Sequence, residues 1–351
     1  MGVTVKVLEA NHGDCILISH KNKALSSFNI LIDGGPATNF KYGPRQRFKG
    51  PLCKLLDDIK SHGEKIDLLI LTHVDDDHIN GLIKAFETPS YLSELVKSVW
   101  FNSSRLITKH FNVPDIDENN IRLADNSPQT SVQQGKDLEK LLDEIGCDRA
   151  PLIKAGQIHN VGPFKLTVLS PIETHLEGLL HKWPSESDSS STSPHHNDYQ
   201  LSLEEIWESD GFKEDKSIYN GSSIAFLLEL DNIKMLFLGD AHDNVVLDNI
   251  IKLGFSKTNK LQLDLVKVSH HGSHHNTSNE LLSLLQSSRY IISTDGSRHG
   301  LPNKRTIARI IKETDGKILF NYNDIVNKLL LKHEVNDYSS RLEALEMEIQ
   351  I

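Results

Sequence analysis

Apolar and polar positions alternate along this chain in two rhythms. Val3 to Ala10, Asp14 to Ser19 and Asn29 to Asp33 have the short-period character of strands, and Asn11-His12-Gly13 makes a tight turn between the first two. Leu52 to His62 and Ser131 to Ile145 carry apolar residues at helical spacing, the second up to a break at Gly146. Lys65 to Leu71 is aliphatic almost throughout, the pattern of a strand buried on both faces, and Gly81 to Phe86 opens a helical pattern. Ser98 to Asn102, Phe164 to Leu169, Leu265 to Val268, Tyr290 to Ser293 and Lys317 to Asn321 read as further strands. Ile224 to Leu230 and Lys234 to Leu238 read as a hairpin around Asp231-Asn232. Tyr91 to Lys97, Ala241 to Leu253, Glu280 to Leu285 and Thr306 to Lys312 are helical in period, while Ala344 to Ile351 alternates like a terminal strand, with a helix as the alternative. The recurring order of strand, polar turn and helix predicts an α/β fold, a layered sheet core with helices outside and functional groups along one edge.

One segment departs from this order. From about 173 to 220 the composition changes, and PSESDSSSTSPHHND in its middle is too polar to bury enough apolar surface to offset its ordering entropy. We expect a mobile surface insertion there, with His195 and His196 in a solvated loop and a helix over Leu203 to Trp207. The remainder is expected to form a single domain spanning 1–351.

Composition narrows the class. The 351 residues include 38 basic and 48 acidic side chains, a formal charge of −10, which argues against a broad basic surface for duplex nucleic acid but leaves room for a local groove or a metal-held phosphate. Three cysteines without CxxC spacing, Cys15, Cys53 and Cys147, argue against a disulfide framework or a thiolate zinc site. No long apolar segment or leader pattern is evident, so a cytoplasmic protein without membrane association is expected.

The chemistry concentrates in LLILTHVDDDHING, Leu68 to Gly81. His73, Asp75, Asp77 and His78 place four potential ligands within six positions, on a turn between a buried strand and a helix. A solvated acidic turn or a helix N-cap would also explain aspartates here, and Asp76 is read as such. Asp240 after FLG, and His270-His271 after a third buried strand, add ligands at two further strand ends. A single ion could not use them all. Two divalent cations roughly 3.5–4 Å apart, sharing a bridging carboxylate for which Asp240 is the candidate, would occupy the set and trap a bridging hydroxide. Asp33 ends a strand at Asp33-Gly34-Gly35, where it either buttresses a neighbouring loop or is a plain turn aspartate.

HGDCILI, LIDGG, THVDDDHING, FLGD, VSHHGS and STDGSRHGLP together resemble the metallo-β-lactamase superfamily, and within it the ComEC-like subgroup, over most of the chain. The superfamily motif is HxHxDH, and Asp75 stands at its second histidine. The resemblance implies an αββα four-layer sandwich with the site at the sheet edges. It places His73 and Asp75 at one metal, Asp77 and His78 at the other, Asp240 between them, and His270 or His271 at the last histidine position. One of that pair would bind metal while the other contacts substrate or donates a proton, so His271 joins Asp77 among the catalytic candidates. His12 and Asp14 match the subgroup's early turn and would sit behind the metal ligands. Asn220, Ser222, Ser223 and Ser273 could add hydrogen-bond donors. Two departures stand out. No strand-end histidine is evident between His78 and Asp240, where many family members place a further ligand, which leaves His159 and His175 as stand-ins, and His299 is displaced by two positions from the subgroup's GHP-like turn, although it could still protonate a leaving group.

Asp75 makes the first site harder and more anionic. Oxygen-rich ligation shifts preference toward Mn²⁺ or Mg²⁺, the histidines keep Zn²⁺ open, and a phosphodiester becomes the preferred substrate. The expected function is a metal-dependent hydrolase, a nuclease on DNA or RNA or another phosphodiesterase, with two Zn²⁺ or Mn²⁺ ions. A small-molecule hydrolase of a phosphocholine-type ester, lactone or thioester is the second reading, supported by the negative charge and the absence of a Lys/Arg-rich groove. A non-enzymatic component of a larger system, such as phage defence, is the third.

Overall fold

A computed structural model describes residues 2–24, 26–113, 128–182, 197–346 and 348–351. Their contacts divide the chain into two compact units: one of Met1–Ile153 with Ile172–Ser193 and Gln350, the other of Lys154–Pro171 with Pro194–Ile349 and Ile351. Each has a mixed sheet, flanking helices and its own apolar core, so the fold class is α/β as expected. No helix among the described residues is long and apolar enough to cross a membrane.

The sheet of the first unit, inside an edge strand Ile349–Gln350, runs in the order Val3–Val7, Ile16–Lys21, Ser27–Ile32, Ile66–Ile70, Val96–Trp100, Asp148–Arg149. Its first three strands are antiparallel and joined by short turns; the rest pair in parallel. Where the parallel strands Ser27–Ile32 and Ile66–Ile70 pair they are aliphatic and buried, because helices must cover both faces of such a sheet. Ile32 lies opposite Ile70 in that register, so the turns leaving the two strands emerge side by side. The backbone of Asp33 continues the ladder by donating to Ile70 O at 2.9 Å.

The helix after the motif strand spans Asp76–Glu87, longer than the apolar periodicity alone marks, because its first turn is polar. Ile79, Leu82, Ile83 and Phe86 form its buried face at helical spacing. Gly81 lies against the turn after Asp33: a Cβ there would be 2.0 Å from Gly34 O. Only glycine permits this approach, and it brings the helix start down onto the strand ends.

In the second unit the order is Leu342–Ala344, Lys317–Phe320, Arg289–Ile292, Leu265–Lys267, Ile233–Phe237, Ala225–Leu230, Phe164–Ser170, Ile158–Val161. The same plan recurs, with antiparallel pairing at one end and parallel pairing from Ile233–Phe237 onward. Phe237 lies opposite Lys267, which sets the exit toward Asp240 beside the exit toward His270 and His271. The hairpin around Asp231-Asn232 forms as the sequence indicates. The C-terminal alternation resolves into two short strands, Leu342–Ala344 and Ile349–Gln350, rather than one strand or a helix.

Within the segment expected to be an insertion, helices span Glu173–Lys182 and Leu203–Ser209. The second begins with a capping box in which Ser202 and Glu205 satisfy each other's backbone, which explains why its few apolar residues suffice. Leu203 and Ile206 enter the core of the second unit. Residues 184–196 of the low-complexity middle, with His195 and His196, lie outside the described residues.

Lys304 and Glu334 form an ion pair at 2.6 Å with both side chains fully buried, and Glu334 also accepts the backbone N–H groups of Leu203 and Leu331. Lys304→Met would leave that carboxylate without its countercharge. A loss of about 3 kcal/mol is expected, read as a lower midpoint in denaturant unfolding.

Candidate metal-binding clusters

In the first unit the centre is Asp33, fully buried and held at a left-handed φ of 54°. Strand pairing delivers its carboxylate to the motif. Thr72 donates its backbone N–H to Oδ1 and its hydroxyl to Oδ2, both at 2.8 Å, and His78 Nδ1 lies 2.8 Å from Oδ2. A carboxylate there accepts a hydrogen bond from Nδ1–H, which leaves Nε2 of His78 as the basic nitrogen, the arrangement a metal-ligating histidine needs. His73 Nδ1 lies 3.0 Å from the Thr72 hydroxyl, and the two imidazoles stand 4.3 Å apart between centroids. Their Nε2 atoms face carboxylates. His73 Nε2 is 3.5 Å from Asp75 and His78 Nε2 is 3.8 Å from Asp77.

Asp75 occupies the N-cap of the helix, yet its side chain makes no capping hydrogen bond. A residue recruited only to cap would spend its oxygen on the free N–H groups. Its placement beside His73 instead fits a ligand. Asp76 is the first helical residue, in keeping with its structural reading.

The early turn is tied to the motif through the backbone. Asp14 donates its N–H to Asp77 O at 3.3 Å, and a Cβ on Gly13 would lie 1.9 Å from that oxygen. Asp14 is buried, and its carboxylate lies within 4.8 Å of ligand atoms of Asp33 and His78. His12 is half-buried in the same turn.

In the second unit the parallel exits bring Asp240 and the histidine pair together. Ser223 Oγ accepts the Asp240 N–H at 3.0 Å, and His270 donates its backbone N–H to Gly239 O at 2.9 Å. Both histidines are in the left-handed region, φ 45° and 51°, which costs on the order of 1 kcal/mol each and concentrates at functional sites. This strained turn aims Nε2 of His270 and of His271 at Asp240, at 3.8 and 3.9 Å.

The far nitrogens distinguish them. His271 Nδ1 lies 2.9 Å from Ser293 O, so in the neutral imidazole Nδ1 carries the proton and Nε2 the lone pair. His270 Nδ1 faces Asn276 Oδ1 at 3.0 Å and Asp215 at 3.5 Å. Asp215 also accepts from Asn220 and Asn276, at 2.7 and 3.0 Å. Burial disfavours the His270 cation, but the charges of Asp240 and Asp215 outweigh it and raise its pKa. For Asp215 burial works against the anion, and hydrogen bonds from His270, Asn220 and the Ser217 N–H more than reverse this, holding its pKa well below the usual carboxylate range.

These opposite shifts set a pH dependence for chelator-treated protein. A depressed Asp215 pKa stabilises the fold above about pH 4, where the unfolded carboxylate would ionise, and the contribution fades as pH falls toward the folded value. A raised His270 pKa stabilises below about pH 6.5 and is lost as pH rises through the folded value. Stability from the pair should therefore be greatest between these limits, and Asp215→Asn should flatten both flanks of a melting-temperature profile.

The other sequence candidates divide. Asn220 supports Asp215, whereas Ser222 Oγ donates to Tyr219 O and Ser273 Oγ accepts the His275 N–H, both local turn contacts. His299 is exposed in the turn before Gly300, with φ 56°. His159 lies on the strand Ile158–Val161, and His175 in the helix Glu173–Lys182. Among the described residues none of these three belongs to a group of three or more His, Cys, Asp or Glu ligand atoms within 4.8 Å of one another. Sequence reasoning missed Thr72, Asp215 and Asn276. Asp215 carries one readable sign, an aspartate two residues before the Ser217 N-cap whose Oδ1 accepts the Ser217 N–H at 2.8 Å.

Residues 10–146 match the model of the metallo-beta-lactamase superfamily. No curated protein matches the sequence. Among solved structures the chain is similar to the metallo-beta-lactamase fold protein YhfI from Bacillus subtilis, at 13% identity over 99% of each chain with a TM-score of 0.41. It is also similar to Zn(2+)-bound PqqB from Methylobacterium extorquens, at 10% identity over 99% of each chain and a TM-score of 0.44. A diphosphatase from the PhnP family is similar at 9% identity over 100% of this chain and 98% of that one, with a TM-score of 0.43.

Proposed function

We propose that the chain is a metal-dependent hydrolase of the metallo-β-lactamase kind that cleaves phosphodiester bonds, as a nuclease or a related phosphodiesterase. The observation that carries this reading is the buried relay from Asp33 through Thr72 to His73 and directly to His78. It fixes two imidazoles beside Asp75 and Asp77. Such outer hydrogen bonds orient metal ligands and raise their basicity. The family match over 10–146 covers every one of these residues and supports the same assignment.

The donor set suits hard or borderline divalent cations, Mn²⁺ or Zn²⁺. His73, Asp75, Asp77 and His78 in the first unit, and Asp240 and His271 in the second, are the proposed ligands. The roles of the last two rest on the sequence resemblance and on the geometry within their own unit. When bound, two such cations would lower the pKa of water and neutralise phosphodiester charge. His270, with its cation favoured by Asp215, would contact a substrate oxygen or hand a proton to the leaving group.

The test couples elemental analysis to cleavage. Purified protein loaded with Mn²⁺ or Zn²⁺ is incubated with labelled DNA, labelled RNA, cyclic nucleotides and bis(p-nitrophenyl) phosphate, beside a panel of chromogenic esters. Turnover of a phosphodiester with bound metal is expected. Metal bound without cleavage of any phosphodiester sinks the proposal, and ester turnover alone would favour a small-molecule hydrolase.

A further inference from the structure

Between Phe40 and Gly50 the first unit makes an excursion that none of the chemistry above uses. Lys41–Tyr42 and Phe48–Lys49 pair as a short antiparallel hairpin, closed at its base where Gly50 donates its N–H to Phe40 O at 2.8 Å. Its nine residues, KYGPRQRFK, contain four cations and no acid, in a chain whose acidic side chains outnumber its basic ones 48 to 38.

Tyr42 and Phe48 face each other across the hairpin with ring centroids 5.5 Å apart and planes 28° from parallel. They remain 47% and 54% exposed, and among the described residues they are the only aromatic side chains in the set of exposed large apolar groups. Two of the cations are engaged: Lys49 pairs with Asp57 at 2.6 Å, and Lys41 lies over the rings of Phe40 and Tyr91. Arg45 and Arg47 are exposed at the tip and have no carboxylate partner among the described residues.

A stacked pair alone would be the minimal core of a hairpin. That explanation leaves half of each ring in water and gives no reason for two unneutralised guanidinium groups beside them. Aromatic faces flanked by arginine are what an unpaired nucleic-acid strand requires, since every base offers a π-face and every nucleotide a phosphate. An anionic membrane would also attract the charge, but two rings that spend a face on each other offer little apolar area for insertion.

The base of the hairpin adjoins the site. Asn39 Nδ2 donates to Gly34 O at 2.7 Å, one residue from Asp33, and a Cβ on Gly50 would lie 2.2 Å from Asn39 O. We infer that the hairpin Lys41–Lys49 is a docking platform for single-stranded nucleic acid, with bases stacked on Tyr42 and Phe48 and phosphates held by Arg45 and Arg47. As a statement of substrate class this rests on the phosphodiesterase reading; as a binding surface it is tested without it.

Full-length protein in EDTA is titrated into fluorescein-labelled oligothymidylate and oligouridylate at several salt concentrations, and separately sedimented with phosphatidylserine/phosphatidylcholine vesicles. Wild type should bind the oligonucleotides. The Arg45→Ala/Arg47→Ala double variant should lower the slope of log K against log salt by about 1.4. Phe48→Ala should weaken binding roughly tenfold. Both variants should keep wild-type turnover of bis(p-nitrophenyl) phosphate. Oligonucleotide affinity indifferent to both variants overturns the inference, as does hairpin-dependent binding to vesicles with none to oligonucleotides. If wild type hydrolyses the small diester while oligonucleotide binding ignores the hairpin, this inference falls alone. If oligonucleotides bind through the hairpin and no phosphodiester is cleaved, the platform stands and the hydrolase reading falls.

Discussion

Asp77→Ala is expected to lower phosphodiester turnover by about 10²–10³-fold or more while the protein stays folded, since the carboxylate is a proposed metal ligand whose loss also removes charge stabilisation in the transition state. The two readouts separate because of where Asp77 sits. Its backbone carbonyl, which receives the Asp14 N–H and touches Gly13, is unaffected by truncating the side chain. The carboxylate is partly exposed, lies in the first turn of the helix Asp76–Glu87 and stands 3.8 Å from His78 Nε2. Losing an acid from a first helical turn costs about 0.3–1 kcal/mol, so the unfolding midpoint should scarcely move. Turnover that survives the substitution would remove Asp77 from the proposed chemistry. Collapse of the fold would show that the side chain holds the turn together, and Asp77→Asn, which keeps its shape, would then separate the roles.

The parts of this molecule legible in the sequence are those whose physics is local. A strand buried on both faces announces itself as an aliphatic run, and Ile66–Ile70 and Leu265–Lys267 were found that way. The polar turns behind them were legible because aspartate and histidine have no reason to crowd against such a run unless they do something. What the sequence could not show is pairing. Asp33 is an ordinary strand-end aspartate until the parallel register of Ile32 with Ile70 sets it against Thr72 and His78, 39 and 45 residues away. Asp215 lies in a polar stretch of changed composition, and only the fold carries it to His270 and Asn276. The hairpin Lys41–Lys49 escaped for another reason: strands of two residues have no period to detect, and a cluster of four cations over nine positions is diluted by a net charge of −10. The expectation against a broad basic surface was drawn from that average, which leaves room for a local cluster of this kind.

The same non-local logic makes Asp33 the most consequential position outside the ligands themselves. Asp33→Ala should cost about 4 kcal/mol and weaken metal binding by about 10–100-fold. The carboxylate is fully buried and takes three hydrogen bonds, from Thr72 N–H, Thr72 Oγ1 and His78 Nδ1, so truncation strands three polar groups in an apolar interior at about 1–3 kcal/mol each, partly relieved by water. It also releases the tautomer of His78, whose Nε2 is then no longer held as the basic nitrogen. Asp33→Asn separates the two effects. The amide keeps the shape and can still accept from Thr72, but it cannot offer acceptors on both sides, and its neutral oxygen supports His78 Nδ1–H more weakly. The asparagine variant should therefore unfold closer to wild type while metal affinity, measured by competition with a chromophoric chelator, stays low. If the alanine variant bound metal as tightly as wild type, the buried relay would be a structural brace only, and the link from Asp33 to the chemistry of His73 and His78 would be lost.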